Sequence, residues 1–174
     1  MTPSAWPALC HPCVVAHHDR GARGPFAEHL ADLVGLPVWN PRQGHGSFLA
    51  FDFGDPRLDA SGRVDRGAWH LWVQMAAWRI EDASTVLAGC EDTGELIADA
   101  LAVIDGRELT SITATGPALD TVFSFSDVHL RTFGLTSRAS EDDLLDNWWL
   151  FRPDDQVLAV AKGGTWTLTP ADAV

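Results

Sequence analysis

Three groups of residues in this chain are of the types that perform chemistry. Cys10 and Cys13, in Cys10-His11-Pro12-Cys13, are followed by His17 and His18. Thiolate and imidazole are proper zinc ligands, and these four could close a tetrahedral site. A second well-spaced pair, as in a finger or ribbon, is missing, and the segment has little to hold it in shape. The expectation is an unstructured tail, with no metal and no other cofactor.

The second group is Gly44-His45-Gly46-Ser47. In acyl transfer, flexible glycines let backbone amides approach an oxyanion, and a histidine serves as base. The Gly-x-Ser-x-Gly pattern of a nucleophile elbow is absent, so a structural turn is the better reading. The third is His70, inside an apolar run, with Asp52 on a neighbouring strand. Both occupy even positions and could share a sheet face. Such a pair either does proton chemistry or simply satisfies a buried histidine, and the second is commoner. An enzyme with a dispersed site around His45, Asp52 and His70 is therefore an alternative reading, and a non-enzyme the leading one.

The acidic run Glu141-Asp142-Asp143, with Asp146, lacks the alternating spacing of a calcium loop and reads as a solvated loop. Neither a glycine-rich phosphate loop nor a dinucleotide fingerprint is present. With 12 basic against 24 acidic residues and a net charge of −12, nucleic-acid binding is not expected, because that affinity comes from lysine and arginine on phosphates. The same field would steer a basic protein partner. No apolar stretch is long enough for a membrane span, and Met1 to Pro7 lacks a secretory pattern, so the expected location is cytoplasmic. The odd set Cys10, Cys13 and Cys90 does not look like a disulfide framework.

The most unusual feature is aromatic: eight tryptophans beside eight phenylalanines, with no tyrosine. Trp148 and Trp149 are adjacent on a predicted strand, so one must face away from the other. If one face is core, the second tryptophan is exposed or covered, and an exposed tryptophan is a strong interface anchor. The expected binding residues are therefore Trp148 or Trp149, with Glu141, Asp142 and Asp143 supplying charge.

The elements that must position these groups follow from periodicity. Residues 1–24 read as a flexible tail and 25–174 as one domain. Phe26, Leu30, Leu33 and Val34 fall on one face of a short helix that starts at Pro25 and stops at Gly35. A strand is expected near 47–53 and a loop from Gly54 to Gly67. Trp69 to Ile80 is apolar on both parities and reads as a central strand covered on both faces. Thr93 to Asp105 is the best helix, with Thr93 as N-cap and Gly106 as stop. Strands follow near 109–116, 120–126, 128–134, 147–152, 156–161 and 165–169, in an antiparallel meander. The predicted fold class is α+β: a curved antiparallel sheet with two helices packed on it.

Several of these pieces together resemble a family of uncharacterised bacterial proteins. They are Gly44-His45-Gly46-Ser47-Phe48-Leu49 into Phe51-Asp52-Phe53-Gly54, Trp69-His70-Leu71-Trp72, and Leu101 to Asp105-Gly106 with Leu109. Leu130-Arg131-Thr132-Phe133 and Asp146 through Trp149-Leu150-Phe151 to Pro153-Asp154 complete the set. The resemblance covers about residues 33 to 168 and departs at Ser126-Asp127 and Asp155, where glycine would be usual. It implies no activity. The closing strand and Pro-Asp turn are also loosely similar to immunity-type proteins of bacterial toxin systems. Together these readings point to a non-enzymatic protein-binding domain, an immunity-type or accessory factor that masks a basic partner. A structural subunit of a larger assembly, pairing through an open sheet edge, is a further alternative.

Overall fold

The structure, a computed structural model, describes residues 20–135 and 146–173. The described chain forms β1 (Gly21–Arg23), β2 (Val38–Gln43), β3 (Leu49–Leu58), β4 (Val64–Val73), β5 (Ala77–Glu81) and β6 (Val86–Gly89). Helix α1 (Gly94–Ile104) follows, then β7 (Ser111–Thr115), β8 (Asp120–Phe125), β9 (Val128–Phe133), β10 (Trp148–Phe151), β11 (Gln156–Val160) and β12 (Trp166–Pro170). The strands form two six-stranded sheets. Sheet I has the order β1-β7-β8-β9-β5-β6 and sheet II the order β12-β11-β10-β4-β3-β2. The β1–β7 pair is parallel, and the other pairs are antiparallel.

The sheets pack face to face, because each presents one row of large apolar side chains. Phe51 and Phe53 of sheet II stack on Phe125 of sheet I, with centroids 6.1 and 6.4 Å apart. Trp148 of sheet II meets Phe123 of sheet I edge-on at 5.6 Å. Phe26, fully buried ahead of β2, fits against Trp148 and Trp166. Helix α1 packs against β2 and β6, one edge strand of each sheet, and buries Ile97, Ala100, Leu101 and Ile104 there. The Thr93 side chain caps it by accepting from the Leu96 N–H, and Gly106, at φ 77°, ends it.

This mostly-β sandwich overturns the expected α+β class with two helices on a single curved sheet. The described residues hold one α-helix. The segment expected to be a helix after Pro25 forms two short 3-10 turns, Ala27–His29 and Ala31–Leu33. Its apolar residues Phe26, Leu30 and Leu33 are buried as the pattern required, but tertiary packing holds them without a continuous helix. The loop expected from Gly54 to Gly67 is the far half of the β3–β4 hairpin, turning at Asp59–Arg63. The apolar run Trp69 to Ile80 is two strands in different sheets. Odd positions Trp69, Leu71 and Val73 are buried in β4, then even positions Trp78 and Ile80 in β5. The parity changes at Gln74–Ala76, where the chain crosses between sheets. The later meander is likewise split, β7–β9 in sheet I and β10–β12 in sheet II.

The crossing is held by one residue, through its backbone and its side chain. Asn147, 1% exposed, accepts from the Leu135 N–H through Oδ1 at 3.0 Å and donates from Nδ2 to the Ala161 carbonyl at 2.9 Å. Its backbone carbonyl accepts from the N–H groups of Gln74 and Ala76, and its own N–H donates to Val160. The end of β4, the start of β5, the residue pair after β9 and the β11–β12 turn thus meet at one amide. Replacing Asn147 with leucine leaves Leu135 N–H and Ala161 C=O without their partner. The expected loss is about 2 kcal/mol, read as a lower urea midpoint, because stranded backbone groups cost more than the bond itself contributes. A midpoint equal to wild type would remove Asn147 from this role.

Candidate functional site

The outer face of sheet II gathers the candidate residues, and its strand registers explain how. In β3 and β4, Asp52 lies opposite His70 and Ala50 opposite Trp72. In β10, Trp149 lies opposite Trp72 and Phe151 opposite His70. Two rows therefore cross the sheet: Trp149, Trp72 and Ala50 in one, Phe151, His70 and Asp52 in the other. The opposite parity, including Trp148 and Leu71, points into the core.

The first part of the site is Asp52, fully buried on this face. Its Oδ1 meets His70 Nδ1 at 2.6 Å and accepts from the Gly67 N–H at 2.9 Å. Its Oδ2 accepts from Arg42 Nη1 at 2.7 Å and Asn40 Nδ2 at 3.0 Å. Two irregularities make this possible. β2 carries one extra residue between Trp39 and Arg42, with Asn40 at φ 52°, which brings both Asn40 and Arg42 onto Asp52. β3 carries another between Phe53 and Pro56, with Gly54 at φ 69°. Gly67 cannot carry a side chain here, since a Cβ would stand 2.7 Å from the Phe53 backbone.

Burial pushes the Asp52 carboxyl up, and the bonds from His70, Gly67 and Arg42 outweigh it, bringing the pKa from 3.8 down to about 2. Asp52 is thus an anion and accepts only, so Nδ1 of His70 carries the hydrogen. An aspartate holding a histidine in one tautomer is half of a general-base arrangement. Here, however, the carboxylate is shared among four donors, and the imidazole, 12% exposed, is flanked by Phe151 with centroids 5.8 Å apart. His45 is not part of it. It lies on the β2–β3 turn and lines a separate cleft with Ser47, Phe48, Gln74 and Cys90. The geometry is that of a buried charge pinning three strands.

The second part of the site is aromatic. Phe48, Trp72, Trp149 and Phe151, all half-buried, touch in sequence across the outer face. Phe48 meets Trp72 at 6.3 Å, Trp72 meets Trp149 at 5.8 Å, and Trp149 meets Phe151 at 6.1 Å, each edge to face. Arg66 lies over Phe151 at 4.5 Å, and the Trp149 indole N–H donates to Asp146. The outer face of sheet I is different. There Glu81 is bridged by Arg79 and Arg131, and Arg79 covers Phe133. Sheet I thus carries an ion-paired cluster beside Phe133, and sheet II an aromatic row beside the Asp52 cluster.

Of the two adjacent tryptophans, Trp148 is fully buried and Trp149 faces outward. Glu141, Asp142 and Asp143 lie outside the described residues, as do Cys10, Cys13, His17 and His18. Among the described residues no group of three or more His, Cys, Asp or Glu side chains could hold a metal ion, and no helix is long and apolar enough to cross a membrane. Sequence reasoning missed Asn40, Arg42 and Gly67 as partners of Asp52, since β2 and the far half of the β3–β4 hairpin were not expected as strands and bulges bring these residues to it. It also missed Phe48 and Phe151 as members of the aromatic row. Compared with family models, curated proteins and solved structures, the chain finds no match.

The Asp52 charge has a pH signature. Its folded pKa lies below the ordinary 3.8, so its stabilisation is complete above about pH 4 and is lost as pH falls toward about 2. Asp52→Asn should cost about 2 kcal/mol at pH 7, since one amide oxygen cannot accept from four donors. The difference from wild type should shrink from pH 4 to pH 2 in urea melts. A difference that stays constant over that window would assign the stability to packing alone.

Proposed function

We propose that this chain is a non-enzymatic protein-binding domain that docks a basic partner through the aromatic outer face of sheet II. The observation that carries the reading is the unbroken Phe48–Trp72–Trp149–Phe151 row on one solvent-facing sheet surface. Solvated sheet faces ordinarily carry polar residues, as sheet I does. Four touching aromatics combine large contact area with few rotatable bonds, the composition of interface anchors.

The net charge of −12 supports a basic partner, drawn in by the long-range field and held by the aromatic patch at close range. The acidic run Glu141-Asp142-Asp143 adds negative charge shortly before β10 in the chain. Masking a partner in this way is the action of an immunity-type or accessory factor, in a cytoplasmic setting. The Asp52–His70 pair fits this reading as a structural one: the imidazole is 12% exposed, and Asp52 also binds Asn40, Arg42 and Gly67 across three strands.

The test is a tagged capture from the native host at low and high salt, wild type beside Trp149→Ala. The expected result is a basic protein recovered stoichiometrically at low salt, released by salt, and bound at least about tenfold more weakly by the variant. Circular dichroism should show the variant folded. A partner retained equally by Trp149→Ala would move the contact elsewhere, and an acidic or salt-insensitive partner would overturn the electrostatic part.

A further inference from the structure

A cleft of about 410 Å³ opens where the β2–β3 turn, the β4–β5 corner and the end of β6 meet. Its walls include Phe48, Met75 and Leu135, with His45, Cys90 and Glu91 also lining it. Gln74 belongs to this lining. It is 2% exposed, yet neither its Nε2 nor its Oε1 has a hydrogen-bond partner among the described residues. Buried amides are almost always paired, since desolvating one without a partner is costly. An unpaired buried amide in the lining of a cleft calls for an explanation, and a partner that enters the cleft supplies one.

We propose that this cleft binds a primary carboxamide, carried by an asparagine or glutamine side chain of a polypeptide. The carboxamide follows from the chemistry of Gln74. Its amide offers a donor and an acceptor side by side. The group that answers both at once presents a C=O and an N–H on the same edge, as a primary carboxamide does and a trans peptide bond does not. A carboxylate would answer only the donor, and Glu91 on the same cleft repels it. The apolar walls suit the methylene stem that carries such a group. Phe48 supports the polypeptide source, since it lines the cleft and also touches Trp72 of the aromatic row. A chain lying on that face can turn one side chain into the cleft. The choice of a polypeptide source rests on the protein-binding reading, whereas the carboxamide specificity does not.

The test is a titration of ¹⁵N-labelled protein with N-acetylglutamine methylamide, followed through the Gln74 side-chain NH₂ cross-peaks. Parallel arms use N-acetylglutamate methylamide and free glutamine. The expected result is a saturable shift with the blocked glutamine and binding about tenfold weaker for the blocked glutamate, as for a site whose polar group is left unmatched. Gln74→Met, which removes an unpaired buried amide at similar volume, should fold with an unchanged or higher urea midpoint and lose the preference. Trp149→Ala should keep it, so failure of the aromatic contact and failure of the cleft are distinguishable. Absence of a saturable shift, or equal binding of the glutamine and glutamate probes, overturns the proposal. Tighter binding of free glutamine than of the blocked form overturns the polypeptide source. Should Gln74→Met not fold, the wild-type comparison of the two blocked probes still decides.

Discussion

Two of the three passages of the chain between the sheets meet at one corner, and the fold depends on how that corner is bonded. The chain leaves sheet II after β4 and enters sheet I at β5, and after β9 it makes the return journey to β10. Because β10 pairs with β4 and β9 with β5, the end of β9 and the start of β10 flank the β4–β5 passage. Crossing strands cannot continue their ladders, so their backbone groups need other partners. Asn147 supplies them. A side chain with one acceptor and two donors, joined to its own carbonyl and N–H, can serve several strands at once without a charge. The same corner leaves Gln74 with its N–H bonded to Asn147 and its side chain unmatched.

The buried Asp52 is a second constraint of the same kind. It holds β2, β3 and β4 together on the outer face, with one donor from β4's His70, one from its Gly67, and two from the bulged end of β2. An isolated buried carboxylate would be intolerable in that position, and with four donors it is stable as an anion. This is why a histidine and an aspartate at hydrogen-bond distance need not be catalytic.

The contrast between the two outer faces carries the functional meaning. Sheet I covers its outside with an Arg–Glu–Arg cluster, and sheet II covers its outside with tryptophan and phenylalanine. Both choices satisfy folding, since either face could be solvated. The proposed protein-binding reading rests on the aromatic row lying on an outer face.

Much of this was legible in the chain itself. The α1 boundaries follow from Thr93, the 97–100–101–104 stripe and Gly106. The β7 to β12 strands follow from alternation and turn residues. Pairing of Asp52 with His70, and the opposite facing of Trp148 and Trp149, follow from the two-residue period of a strand. β1, β2 and β6 were not legible, because β1 and β6 are only three and four residues long and β2 contains a proline and a bulge. The run Trp69 to Ile80 shows the limit most clearly. Apolar residues on both parities are the mark of a doubly covered strand and equally of a phase change at a corner, and local pattern cannot separate the two. Only tertiary structure, by pairing β4 with β10 and β5 with β9, decided that this was a corner, that two sheets rather than one would form, and that Gln74 would be buried without a partner. Those outcomes depend on residues far apart in the chain competing for the same hydrogen bonds, and no short window of sequence contains them.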